Sequence, residues 1–172
     1  MSGGYGRFAT ARRYFIPEVN MTTFQPAHLA SVPCPMNQKV GQPVDTLTLK
    51  ALLAVPLTQL SAAEYRFCKA ADCPAVYYSA DGQQLFGEAD LRERVYQKHH
   101  ADDTVLVCYC FRHTLGSIRV ELIQTGASTV IDNITAGIQA NQCACDIRNP
   151  QGDCCLGNVR QIVRQIKAEL GQ

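Results

Sequence analysis

Nine cysteines, most of them in tight pairs, constrain this chain of 172 residues more than any other feature. Cys108 and Cys110 are separated by one residue, and Cys154 and Cys155 are adjacent. A disulfide within either pair would be strained, because the bridge needs a specific separation and aim of the two Cβ atoms. An odd count would also leave one thiol over. The N-terminal arginines are not followed by the apolar run of a secretory signal. These spacings suit two thiolates converging on one metal. They imply a reducing compartment, the cytoplasm.

Composition excludes other classes. The net charge of +1 argues against a nucleic-acid partner or membrane surface recognised by general electrostatics. The best apolar stretch, residues 51–57, is far short of the ~20 residues that span a bilayer, so no membrane insertion is expected. No phosphate-binding glycine loop, Ser/His/Asp set or paired carboxylates suggests a catalyst. The chain reads as a carrier or chaperone rather than an enzyme.

The pattern along the chain predicts an α+β fold. Residues 1–30 are basic, contain glycine and lack periodicity, and read as a disordered extension; Met21 is a possible alternative start. Residues 31–98 read as a β subdomain. Short runs at 65–68 and 75–78 flank a turn carrying Cys68 and Cys73, and Asp81-Gly82 signals a hairpin. Residues 46–53 suit either strand or helix. The polar stretch 97–104 reads as a linker. Residues 104–172 read as a helical subdomain: a short strand, 105–107, runs into Cys108, and three helices follow. Their expected inward faces are Leu115, Ile118, Leu122 and Ile123, then Val130, Ile131, Ile134 and Ile138, then Leu156, Val159, Ile162, Val163, Ile166 and Leu170. Thr114 and Ser128 are candidate N-caps, and Gly126 is a candidate stop.

Two cysteine loops therefore sit at helix ends. One carries Cys108 and Cys110; the other carries Cys143, Cys145, Cys154 and Cys155. The helix beginning after Cys155 offers N-terminal amides and a dipole that favour an anionic group. Four thiolates, two per iron, hold a 2Fe-2S cluster. Four thiolates also make a structural zinc site, and spacing alone leaves the two open.

The run Val107-Cys-Tyr-Cys-Phe-Arg-His-Thr114, with Cys145-x-x-x-Asn-Pro-x-Gly-x-Cys-Cys155, resembles the N-terminal domain of CopZ-type copper chaperones. It is more distantly similar to the bacterioferritin-associated ferredoxins. The resemblance covers about residues 33–165. It implies a zinc-ribbon-like β subdomain followed by a helical 2Fe-2S-binding subdomain. It also implies a ligand set of Cys108, Cys110, Cys145 and Cys155, leaving Cys143 as an extra and Cys154 as a spare or alternate.

The same resemblance implies a zinc site made by two knuckles. Cys68 and Cys73 form one. The other should read Cys-Pro-x-Cys, but this chain has Cys34-Pro35-Met36-Asn37, with Gly41 and Val44 in place. Asn37 stands where a fourth thiolate is expected. Cys34, Cys68 and Cys73 would then bind zinc with a borrowed ligand such as His28, His99 or His100, bind it with an open position, or stand as idle thiols. His99-His100 otherwise suits a solvated linker. His113 suits a polar residue at a helix start, and Tyr109 a shield over the cluster.

These readings make the chain an iron–sulfur and zinc-binding redox and metal-handling module in copper or heavy-metal homeostasis. Its partner would be a redox or metal-transport protein. CopZ-type chaperones carry a further heavy-metal domain with Cys-x-x-Cys, a spacing absent from these residues. Transient copper binding would need a partner or spare thiols such as Cys143 and Cys154. The alternatives are a ferredoxin-like electron carrier and a zinc-only adaptor.

Overall fold

The computed structural model describes residues 32–171. The expected extension, with Met21 and His28, lies outside them. The described residues form an antiparallel sheet followed by helices, the α+β arrangement expected from the sequence.

The sheet has strand order β1-β2-β3-β4, with β1 at Gln42–Val44, β2 at Tyr65–Phe67, β3 at Ala75–Ser79 and β4 at Leu85–Gly87. Its central strands are aromatic and buried on both faces. One side packs Tyr65, Phe67, Tyr77 and Phe86 with Val44, Leu49 and Leu53. The other packs Tyr78 and Ala75 against Cys34, Cys68 and Cys73. The β3–β4 hairpin turns at Gly82, whose φ is +71°. The Asp81 carboxylate fixes that turn by accepting from the Ser79 hydroxyl at 2.6 Å and the Gln83 amide at 3.0 Å.

The ambiguous stretch after β1 is helix α1, Thr46–Leu52. Asp45 decides it: its carboxylate caps the helix by accepting from the Leu47 amide at 2.7 Å. A second small hairpin follows, β5 at Leu106–Cys108 and β6 at His113–Thr114. β6 was not foreseen, because two residues carry no readable periodicity.

Thr114 caps helix α2, Leu115–Thr125, and exchanges side-chain and backbone hydrogen bonds with Ser117. Gly126 ends it in the left-handed region, at φ +69°. Helix α3 spans Val130–Gln139, a single turn α4 spans Cys145–Arg148, and helix α5 spans Leu156–Glu169. Ser128 accepts from the Val130 amide at 3.3 Å, one residue outside the expected cap geometry. The helices share a core of Leu115, Ile118, Leu122, Val130, Ile134, Val159, Ile162, Val163 and Ile166. Ile123 and Leu170, expected inward, are 60% and 40% exposed. Each sits at the edge of its apolar stripe, where the 3.6-residue period carries it off the packed face.

The sheet and the helices are tied together. Tyr77 donates to the Pro150 carbonyl at 2.6 Å, Gln42 donates to the Gln151 carbonyl at 3.2 Å, and Thr48 donates to the Asp146 carbonyl. Residues 97–104, read as a linker, are also anchored. The Lys98 ammonium donates to the Ala70 and Cys73 carbonyls at 2.6 and 2.9 Å, and His99 pairs with Glu88.

Gly41 lies where the Cys34 loop meets the sheet. A Cβ there would stand 2.7 Å from both the Phe67 carbonyl oxygen and the Tyr78 hydroxyl. Gly41→Ala should therefore lower stability by about 1–3 kcal/mol, as overpacking does. A urea unfolding midpoint unchanged from wild type would show that this contact relaxes freely.

Candidate metal centres

The first thiol site grows from two tight turns. Cys34 opens a loop in which its amide donates to the Lys39 carbonyl at 2.9 Å and its carbonyl accepts from the Gln38 amide at 2.8 Å. Cys68 directly follows β2, and Cys73 closes a turn through its amide to the Ala70 carbonyl at 3.2 Å. All three cysteines are buried, and their sulfurs lie within 4.8 Å of one another. Cys34 and Cys73 sulfurs are 3.8 Å apart.

Asn37 reaches the site but offers it a donor. Its amide nitrogen points at the Cys68 sulfur at 3.4 Å, while its oxygen accepts from the Lys39 amide at 3.0 Å. Burial opposes ionisation of Cys68. The Ala70 amide, the Cys73 thiol, the Lys98 ammonium and the Asn37 amide together outweigh it, holding Cys68 below the usual thiol range. Burial pushes Cys73 up to about 11. Among the described residues, no histidine, carboxylate or fourth cysteine joins the three sulfurs. His99 is held at 2.6 Å by Glu88, and His100 packs edge-on against Tyr96.

The second site joins the loops seen in sequence. The β5–β6 hairpin presents Cys108 and Cys110; Cys145 begins α4, and Cys155 caps α5. Cys110 lies 3.7 Å from Cys145 and 4.0 Å from Cys143, and Cys143 lies 3.4 Å from Cys145. The Cys155 thiol faces Cys108 and Cys145. This contact pushes Cys155 up and draws the other two toward the thiolate. The Cys110, Cys143 and Cys145 sulfurs lie within 4.8 Å of one another, with Cys108 and Cys155 beside them. Cys154 stays outside, exposed, with no sulfur partner among the described residues.

Backbone amides face these sulfurs. The Ala144 amide donates to Cys110 at 3.3 Å, the Phe111 and Cys110 amides to Cys108, and the Cys155 amide to Cys145. Burial nonetheless pushes Cys110 up to about 12 and raises Cys143. Buried thiolates with preset amide donors suit a cationic metal or an iron–sulfur group, whose charge the amides also tune.

Tyr109, expected as a shield, anchors the hairpin through its hydroxyl. Its hydroxyl donates to the Arg94 carbonyl at 2.7 Å and accepts from the Tyr96 amide at 3.0 Å. His113 lies in β6 opposite Cys108, and burial holds its imidazole below the usual range.

The zinc-binding domain of the CopZ family matches residues 31–92. No curated protein matches the chain significantly. The X-ray structure of the Archaeoglobus fulgidus CopZ N-terminal domain superimposes with a TM-score of 0.64 at 26% identity. The match covers 76% of this chain and 96% of that one. The chain carries a CopZ-type N-terminal domain. Within this CopZ-type domain the family match contains all three sulfurs of the first site, whereas the structural match reaches beyond it into the helices.

Two contributors had no signal in spacing alone. Lys98, in the expected linker, braces the Cys68–Cys73 turn. Asn149, part of the turn sequence after Cys145, is 1% exposed; its amide donates to the Asp153 carbonyl at 2.6 Å, and its oxygen accepts from Gln151 at 3.3 Å. An Asn before a proline in a cysteine loop signals a turn but does not reveal burial. Gly152 completes the turn at φ +69°, where a Cβ would meet Val44 at 2.8 Å.

Replacing Asn149 with Ala strips both side-chain bonds from a buried turn, which costs about 1–3 kcal/mol. Chemical denaturation should register that loss. Equal stability of Asn149→Ala and wild type would refute the role assigned to this side chain.

Proposed function

We propose that Cys108, Cys110, Cys145 and Cys155 hold a 2Fe-2S cluster, and that the chain is a redox and metal-handling module in copper or heavy-metal homeostasis. The observation that carries this reading is the approach of three buried thiols and the half-buried Cys110 from two separate loops, with backbone amides already directed at them. When bound, such a cluster exchanges one electron at a time.

The residues divide the work by position. Cys108 and Cys110 come from one hairpin and can serve as one pair. Cys145 and Cys155 come from the other loop and can serve as the second. The Asn149–Asp153 turn sets the return of the chain between Cys145 and Cys155. Tyr109 fixes the Cys108–Cys110 hairpin from outside. Cys155 stands at the start of α5, where the helix dipole offsets anionic charge. Burial of Cys108, Cys145 and Cys155 excludes water from the sulfurs.

Copper handling is supported by similarity to the CopZ N-terminal domain, and metal binding in the β half by the zinc-binding family match. Free thiols in this number need a reducing compartment, and we infer the cytoplasm. The partner would be a redox or metal-transport protein. No helix among the described residues is long and apolar enough to cross a membrane.

Anaerobically purified protein should be red-brown, with about two irons and two sulfides per chain. Cys155→Ala should abolish the colour, and Cys154→Ala should keep it. Colourless protein that holds zinc but neither iron nor sulfide after anaerobic reconstitution would replace the redox reading with a zinc-stabilised adaptor. Loss of colour in Cys154→Ala alone would reassign the fourth ligand.

A further inference from the structure

The β-half site does not fit the four-thiolate zinc centre that its family match suggests. Zinc in a structural site takes four ligands in a tetrahedron. Here three sulfurs lie within 4.8 Å of one another, and no fourth histidine, cysteine or carboxylate joins them among the described residues. Asn37 cannot make up the set as it lies. Its oxygen is turned to the Lys39 amide, and the group facing Cys68 is an N–H donor without a lone pair to give.

We propose that Cys34, Cys68 and Cys73 form a three-coordinate site for a soft monovalent ion, Cu(I), in preference to zinc. Thiolates are soft ligands and select Cu(I). Three ligands satisfy that ion, whereas the described residues leave zinc one protein donor short. The proposal rests on the metal-handling reading for the choice of copper among soft ions. It makes no use of the cluster thiols.

Three further observations point the same way. Three thiolates around a monovalent ion leave two negative charges, one more than around zinc. Cations stand nearby to offset them: Lys98 braces the Cys68–Cys73 turn and acts on Cys68, and Lys39 and Lys69 flank it. The Asn37 amide supplies Cys68 with a hydrogen bond that a fourth cysteine could not. A cleft of about 290 Å³, lined by Lys39, Val40, Cys68, Lys69 and Ala70, opens beside Cys68. It gives an incoming ion, or a thiol carrying it, a route to one ligand of an otherwise buried set. Asn37 thereby changes from a missing ligand into a residue that selects the ion.

The test compares full-length wild type, Cys34→Ser and Asn37→Cys, each anaerobic and titrated with Cu(I) or Zn(II) against a chromophoric competitor. Wild type should hold one Cu(I) that Cys34→Ser loses, with X-ray absorption showing three sulfurs around copper. Visible absorbance of the C-terminal site should not change, which separates failure here from failure of the cluster reading. Asn37→Cys should bind zinc on the order of a hundred-fold more tightly than wild type, since even outer ligand contacts are worth 10–100-fold. It leaves the three native thiols in place, so it keeps the test decisive if Cys34→Ser misfolds. Zinc held as tightly by wild type as by Asn37→Cys would overturn the proposal and reveal a fourth ligand, as would copper stoichiometry indifferent to Cys34.

Discussion

The hydrogen bond from Tyr77 to the Pro150 carbonyl organises more of this molecule than any metal ligand does. Tyr77 is wholly buried in the central strand of the sheet, and burial holds its phenol protonated and donating. Its acceptor lies in the loop that carries Cys145 at one end and Cys155 at the other. The bond therefore fixes the second cysteine loop to the core of the sheet. An unpaired carbonyl at that depth would cost about 1–3 kcal/mol, so the loop gains little by leaving. Gly152 and the Thr48–Asp146 bond extend the same contact.

A second brace runs on the opposite side of the chain. Between Arg94 and Lys98 the backbone and one side chain touch both thiol sites. The Arg94 carbonyl and Tyr96 amide hold Tyr109, the residue between Cys108 and Cys110. Lys98 holds the carbonyls of the Cys68–Cys73 turn. A segment that is polar in sequence is thus a clamp in the fold. Its polar groups are spent on satisfying buried or half-buried backbone, which composition cannot distinguish from solvation.

Legibility followed the strength of periodic signals. The helices were readable because Ile118, Leu122, Val159, Ile162 and Ile166 recur at helical spacing, and they form the core. The central strands were readable from their aromatic runs. The centre of each apolar stripe was more readable than its edge, as Ile123 and Leu170 show. Helix α1 needed its cap to be weighed, because residues 46–53 alone fit either period. Strand β6 was too short to announce itself. At the thiol sites the two expected loops lie together, but spacing did not show how close each member stands to the others. Cys143, set aside as an extra, lies 3.4 Å from Cys145, whereas Cys154 points away from its neighbour's partners. The turn before Cys154 and Cys155 is held by the buried Asn149 side chain on the Asp153 carbonyl, a contact that spacing does not display.

The two sites then differ in a way that coordination number explains. The second has more thiols than the four positions of the proposed cluster require, and Cys143 lies 3.4 Å from Cys145 beside that set. Surplus thiols permit a ligand to be exchanged without leaving a metal bare. The first has fewer than four, and a hydrogen-bond donor stands where a ligand would close it. Both departures reduce rigidity of coordination relative to a closed tetrathiolate centre, one by excess and the other by deficit. A protein needing metal only for stability is served best by closed coordination, because every open position lowers affinity and with it folding free energy. Here the sheet has its own aromatic core and the helices have their aliphatic core, so neither depends on metal to bury apolar surface. That independence of the cores means neither thiol set has to be closed by a metal for its own half to bury apolar surface.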